Sequence, residues 1–433
     1  MQPSTSPVLK DLVLVGGGHS HVVVLKRFGM RPVPGLRLTL IARDVHTPYS
    51  GMLPGYIAGC YDYDQCHIDL GRLARFAGAR FLRAEVEGLD LDNRKVICGD
   101  RPPVSYDLLS INTGSRPNTC EVPGAAEWAV PVKPIDRFLV RWDALIQRVL
   151  AHPGRFRVAV VGGGAGGVEL ALASRQRLSD ELARAGQDPG GIEHTLVTAT
   201  SEILPTHNPG VRRRLLRTLA NRGVRVLTGR RVVEVGPSRL ICEDGTVVPA
   251  ETALWVTQAA APDWPRTAGL ATDAAGFIRV DDTLRSVSHP EVFAAGDVAV
   301  MGGEPRPKAG VFAVRQGPPL ERNLRRVALG RKPRPFRPQT RFLSLISTGG
   351  RHAVASRGRW ALEGDWVWWW KDWIDRRFMA SFADLPEMPE VTAPSSEPGL
   401  ADQAALNELA TPLMRCGGCG AKVGSGVLER VMG

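Results

Sequence analysis

The 433-residue chain is 43% apolar and 23% charged, proportions of a globular protein, and its length implies about three domains. Its formal net charge is +11, but no compact Lys/Arg block with interleaved aromatics appears, so the charge reads as solvated faces and no nucleic-acid partner is expected. No window reaches the roughly 18 uninterrupted apolar residues of a membrane span. The first residues lack the apolar core of a signal peptide, and seven scattered cysteines make no secreted disulfide framework, so a cytoplasmic protein is expected.

Residues 12–15 (LVLV) read as a strand buried on both faces. Gly16, Gly17 and Gly18 then turn the chain, and residues 19–28, opening with His19 and Ser20, read as a helix. A strand, a glycine turn and a helix make up the dinucleotide-binding unit. The glycines let the backbone bend tightly and approach a pyrophosphate at the positive end of the helix. With Gly16 and Gly18 in the first two places, the third falls on His21, so this turn alone is a weak signal. The unit returns at residues 158–169 (VAVVGGGAGGVE), where Gly162, Gly164 and Gly167 fill all three places and Glu169 stands just inside the helix. Two such turns imply two nucleotides, and two nucleotides imply electron transfer between them.

Residues 36–41 (LRLTLI) alternate as a second parallel strand. An acidic residue normally follows about 20 positions after the glycines to take the ribose hydroxyls. Here the strand ends in Ala42, Arg43 and Asp44, so Arg43 is expected against the adenine or a phosphate. Cys60 and Cys66 have five residues between them, which places them on different helical faces; structural thiols are expected there rather than a redox pair. Further strands are expected at 80–91, 95–98, 223–227, 231–235 and 253–257, with a hairpin at 243–245. Trp366, Trp369, Trp370 and Trp373 recur at helical spacing within residues 360–382. This stripe is expected to pack on the first domain or on a second subunit, as in a homodimer. Peripheral membrane contact is the alternative.

Residues 8 to about 384 resemble the pyridine nucleotide-disulfide oxidoreductase superfamily, nearest its type II NADH dehydrogenase-like branch. Beside the two glycine turns, residues 292–297 (VFAAGD) resemble the strand and turn that close an FAD site in such flavoproteins, with Gly296 and Asp297 at the turn and Thr283 upstream. Residues 46–56 (HTPYSGMLPGY), with Pro54, resemble the loop under the flavin. Residues 106–117 (YDLLSINTGSRP), with Thr113 and Gly114, resemble the passage between the FAD and NAD(P)H domains. Lys133 occupies a place where such dehydrogenases often have a lysine near flavin N5. The helix expected from residue 308 would aim its amino end, at Ala309, at the flavin pyrimidine, and Gln316 matches glutamines near the quinone pocket. Cys120 lies where sulfide-oxidising relatives use cysteines, though an incidental thiol is the preferred reading. Thr198 replaces the glutamate of NADH-selective relatives, and Arg212, Arg213 and Arg214 follow, so NADPH is admissible and the nucleotide is written NAD(P)H.

The resemblance implies an α/β fold with two Rossmann-like domains and a C-terminal α+β region. The FAD domain (1–125 and 257–330) is split by the NAD(P)H domain (126–256), and residues 331–385 form the C-terminal region. FAD and NAD(P)H are the implied cofactors, and no metal is expected. The implied reaction is hydride transfer from NAD(P)H to FAD, followed by electron delivery to a quinone-like acceptor.

Residues 386–412 read as a linker. Beyond it, residues 413–433 contain RCGGCGAK, which lacks the partner ligands of a zinc site. This stretch resembles the start of selenophosphate synthetase (selenide, water dikinase), where a catalytic cysteine or selenocysteine stands shortly before a lysine; Cys419 and Lys422 match that pair. The layout resembles fusions of a flavin reductase to that synthetase. It admits an alternative, a reductase of selenium or sulfur species supplying selenide to the fused domain. A further alternative is a non-catalytic flavin-binding scaffold.

Overall fold

A computed structural model of the chain describes residues 8–117, 122–257, 259–302, 308–339 and 342–387. Cys120 and the segment with Cys419 and Lys422 lie outside these residues.

The apolar runs become the middles of two five-stranded parallel sheets; four strands follow the same order in both, and the fifth, an edge strand, comes last in the chain in the first sheet and first in the second. In the first, Lys10–Val15 pairs with Leu36–Ala42 on one side and Leu108–Ile111 on the other; Arg80–Arg83 and Val292–Ala294 complete the five strands. In the second, Phe156–Val161 lies between Ile192–Val197 and Thr252–Trp255, with Val224–Leu227 and Ala129–Pro131 outside them. The continuous Val/Leu character follows from burial on both faces: in the second sheet Val158, Val160, Leu196 and Leu254 pack with helix residues such as Phe138, Leu170 and Leu215, while Ala159, Val161, Val197 and Ala253 pack with Val232, Leu240 and Val248 of an antiparallel meander. In each sheet the glycine turn leaves the carboxyl end of the central strand where the order reverses, the usual ligand position in open α/β sheets. A three-stranded antiparallel meander accompanies each sheet, over residues 86–105 and 232–249.

The C-terminal region is α+β: strands Ser344–Ser347, Ala353–Arg357 and Trp360–Gly364, then helix Asp365–Ala383. Residues 360–382 are therefore not one helix, because Trp360 to Gly364 pair with the neighbouring strand first. This sheet joins both cores, Ala353 and Ala355 packing into the first and Ile346 and Val354 into the second.

The tryptophan stripe faces the other way from the expected packing on the first domain. Trp366, Trp369, Trp370 and Trp373 are 53%, 55%, 38% and 57% exposed, whereas Val367, Trp368, Lys371, Asp372, Asp375, Met379 and Phe382 are buried. The polar residues can face inward because each finds a partner. Lys371 Nζ donates to Asp375 (2.5 Å) and to the Gly51 carbonyl (2.6 Å), Tyr49 Oη donates to Asp375 (3.1 Å), and Tyr61 Oη donates to Asp372 (2.7 Å). Paired in this way, buried ions cost far less than isolated ones.

Candidate functional site

The first glycine turn is held from the neighbouring strand end. Gly16 has φ of 93°, and a Cβ there would stand 2.6 Å from the Asn112 carbonyl oxygen. Asn112 supplies the cap that Gly18 cannot. Its Oδ1 accepts from the Ser20 and His21 N–H groups at 3.1 and 3.3 Å, and its Nδ2 donates to the Ala295 carbonyl at 2.6 Å. One buried amide thus ties the turn, the helix His19–Met30 and the approach to Asp297 together. His21 does the work of the missing third glycine in another way. Fully buried, its Nδ1 is 2.6 Å from the Gly16 carbonyl oxygen and its Nε2 is 2.8 Å from Ser110 Oγ. Burial lowers its pKa to about 4, so the ring is neutral.

A groove of about 830 Å³ runs from this turn. Gly16, Gly17, Gly18, His19, Arg43, Thr113 and Gly114 line it, with Lys133 and Asp297 further along. Arg43 is paired with Asp44 at 2.8 Å, so the late-placed acid steadies the arginine. Lys133 Nζ donates to Asp297 at 2.8 Å and to Ser115 Oγ at 3.2 Å. Burial alone would raise the Asp297 carboxyl, but Lys133, then Lys308 and Ser115, hold it below the usual carboxylate range. Lys308 also lines the groove; burial lowers its pKa to about 8, against the opposing pull of Asp297 and Asp273.

Of the expected residues, Ser20, Pro54 and Gln316 lie off this groove's wall. Ser20 is buried and donates to the Ala313 carbonyl at 2.6 Å, joining the first helix to helix Gly310–Ala328. Pro54 is buried at the start of the short helix Leu53–Ile57, off the groove wall. Gln316 accepts from the Gly296 N–H at 2.6 Å and so shapes the Gly296–Asp297 turn. Gly296, Ala309 and Gln316 line an adjoining cavity of about 660 Å³, which shares Asp297 and Lys308 with the groove.

At the second turn, Gly162 has φ of 132° and donates to the Val197 carbonyl at 2.8 Å. A Cβ on Gly167 would collide with the Gly162 carbonyl oxygen, so the third place admits only glycine; one on Gly164 would meet no protein atom within 4 Å. Gly164 begins helix Ala165–Arg184 without a side-chain cap, and the first N–H groups of a helix lack intrahelical partners. Thr198 is buried beside this turn. Of the nearby arginines, Arg212 pairs with Glu202 at 2.5 Å and Arg214 with Glu363 at 3.4 Å, leaving Arg213 exposed. Glu169 points at the C-terminal sheet, accepting from Ser347 N at 2.8 Å and Ser347 Oγ at 3.1 Å. Burial raises its carboxyl pKa, opposed by Lys371 and the Ser347 bonds.

Cys60 and Cys66 are free thiols. Burial pushes both up, Cys66 to about 12, so neither is a poised thiolate. Among the described residues there is no cluster able to hold a metal ion.

The residues fit two dinucleotides. Each turn is a cradle that side chains would fill, and His19 brings a buried Nε2 with no partner to the groove, placed for a phosphate or ribityl oxygen. Asn112, Lys308 and the Lys371–Asp375 pair escape sequence reasoning. Asn112 alone had a signal, its place between a buried strand and the Thr113–Gly114 turn.

Comparison with known proteins agrees with this geometry. The family model described as pyridine nucleotide-disulphide oxidoreductase matches residues 10–317. An NADH dehydrogenase-like protein of Mycobacterium tuberculosis is 32% identical over 249 residues, 55% of this chain and 60% of the relative; the chain thus matches about three fifths of that relative's length. A type II NADH:quinone oxidoreductase of Haemophilus influenzae is 25% identical over 222 residues, 46% of this chain and 50% of the relative. The fold is that of the sulfide:quinone oxidoreductase of Aquifex aeolicus, with a TM-score of 0.72 at 19% identity over 90% of this chain and 99% of that one. The chain belongs to the pyridine nucleotide-disulphide oxidoreductase family, whose members of this type use FAD and NAD(P)H.

Proposed function

We propose that the protein is an FAD-dependent NAD(P)H dehydrogenase that passes electrons to a quinone-like acceptor. The observation that carries this reading is the pairing of two dinucleotide cradles with an aromatic-walled cavity that shares Asp297 and Lys308 with the first. The relatives named for NADH dehydrogenase and quinone oxidoreductase support the choice of donor and acceptor. When bound, FAD supplies hydride acceptance from the nicotinamide and onward electron delivery.

The chain's own residues prepare that chemistry. The turn from Gly162 to Gly167 holds the NAD(P)H pyrophosphate against the start of helix Ala165–Arg184. Lys133 and Lys308 keep Asp297 ionised as a hydrogen-bond acceptor. The amino end of helix Gly310–Ala328 favours negative charge beside it. The acceptor enters through the cavity beside Gln316. Glu169, raised by burial, can hold a proton, while the Lys371–Asp375 pair anchors Tyr49 and the Gly51 carbonyl.

The exposed tryptophan face, followed by Arg376 and Arg377 on the same helix, supports peripheral docking on a lipid surface where quinones partition. Steady-state NADH and NADPH oxidation with menadione tests the acceptor; no turnover with either nucleotide refutes it. Sedimentation with anionic vesicles tests the docking, and W369S/W373S is expected to lower the bound fraction severalfold. Equal binding by the variant refutes the docking.

A further inference from the structure

The cavity beside Gln316 carries a charge pattern that a neutral quinone does not need. Its apolar wall is built from the rings of Phe277, Phe312 and Phe336, and Phe312 is braced edge-on by Phe342 at 5.3 Å between ring centroids. These rings around about 660 Å³ suit a flat aromatic body of two or three rings, with Lys308 Nζ lying 3.8 Å from the centroid of the Phe277 ring.

The polar part of the wall is cationic. Arg315 and Arg337 both line the cavity, and neither meets a carboxylate among the described residues. Lys308 stands at the border with the groove. The two acids on the wall are already engaged. Asp297 is paired with Lys133 at 2.8 Å, and Asp273 accepts from the Phe277 N–H at 2.9 Å. The side-chain amide nitrogen of Gln339, also on the wall, is buried without an acceptor. A buried donor in that state is destabilising unless something supplies an oxygen. Two guanidinium groups with no carboxylate partner among the described residues and a buried amide N–H without an acceptor thus line one aromatic-walled cavity.

We propose that this cavity binds a planar aromatic molecule bearing an acidic group, a carboxylate or sulfonate, with its rings among the phenylalanines and its anion at Arg315 and Arg337. Guanidinium groups bind such oxygens in a bidentate fork. If the cavity is also the acceptor's entrance, which rests on the dehydrogenase reading, acidic quinones are its preferred substrates.

The test is calorimetric titration of the FAD-loaded protein with 2-naphthoate and with uncharged 2-naphthamide. The expected result is naphthoate binding about 10-fold tighter than naphthamide, a charge-assisted contact at partly exposed arginines. In R315Q/R337Q the gap should close to about 2-fold while naphthamide affinity stays put, which also shows that the variant is folded. F336A should weaken both ligands alike. Equal affinities in the wild type, a gap that survives in the double variant, or no binding of either ligand overturns the proposal. The dehydrogenase reading fails separately: naphthoate selectivity in a protein whose flavin neither nucleotide reduces would remove that reading and leave the anion site standing.

Discussion

Gly164→Ala separates what the second turn does for the fold from what it does for the nucleotide. Gly164 has φ of −73°, which alanine adopts freely, and an added Cβ meets no protein atom within 4 Å. Alanine is a poorer helix cap than glycine, at a cost of about 0.5–1 kcal/mol. The stiffer unfolded chain offsets about 0.4–1 kcal/mol. Stability should therefore change by less than about 1 kcal/mol. The methyl group instead occupies the space where a phosphate must approach the backbone, and a displacement of about 1 Å costs on the order of 10²-fold in hydride transfer. That equals about 2.7 kcal/mol in the barrier. The assay is stopped-flow bleaching of the flavin by NADH or NADPH under anaerobic conditions, with melting temperature and FAD content as controls. Bleaching within about 3-fold of wild type for both nucleotides would refute the assignment, since steric exclusion of a phosphate predicts the larger loss. Gly18→Ala is the contrasting case: its Cβ would stand 2.6 Å from the Asn112 carbonyl oxygen, so FAD content should fall.

Other consequences follow from the buried charges. Lys371→Met leaves Asp375 buried without its cation and should cost about 3–5 kcal/mol in urea unfolding; a loss below 1 kcal/mol contradicts the pairing. His21 and His194 are buried and neutral, with pKa values lowered to about 4 and about 3. The unfolded chain binds their protons first, so their stabilisation is complete about one pH unit above 6.5 and is lost as pH falls toward those values, by about 2 kcal/mol each between about pH 7.5 and 5. Unfolding curves that superimpose at pH 7.5 and pH 5 would exclude this. Lys133→Met removes the main cation holding Asp297 ionised. FAD retention should then weaken as pH falls from 7 to 5 while the wild type holds its FAD; gel filtration at the two pH values reads this, and parallel retention rejects it.

The two parallel sheets were legible because their strands are continuous Val/Leu runs ending in glycines, a pattern that serves burial on both faces and little else. The second turn was more legible than the first, since His21 holds the third place through bonds to Gly16 and Ser110 that spacing cannot foresee. Asn112 went unread beside Thr113 because its role depends on helix and strand ends brought together only in the fold. The helical spacing of the tryptophans revealed a face but not its direction. The acids among them argued for packing on the first domain or on a second subunit, whereas the partners of Lys371, Asp372 and Asp375 from distant parts of the chain turn the acids, not the tryptophans, toward the first domain. The resemblance puts Gln316 near a quinone pocket, but its contact with the Gly296 N–H depends on helix docking that the sequence does not show.

The most direct test of the account is anaerobic double mixing: the FAD-loaded protein first with NADH or NADPH, then with menadione or ubiquinone-1. Bleaching of the flavin band with at least one nucleotide, and its full recovery on adding quinone, is the expected result. A flavin that stays oxidised with both nucleotides, or one that bleaches and is not reoxidised by either quinone, would contradict it.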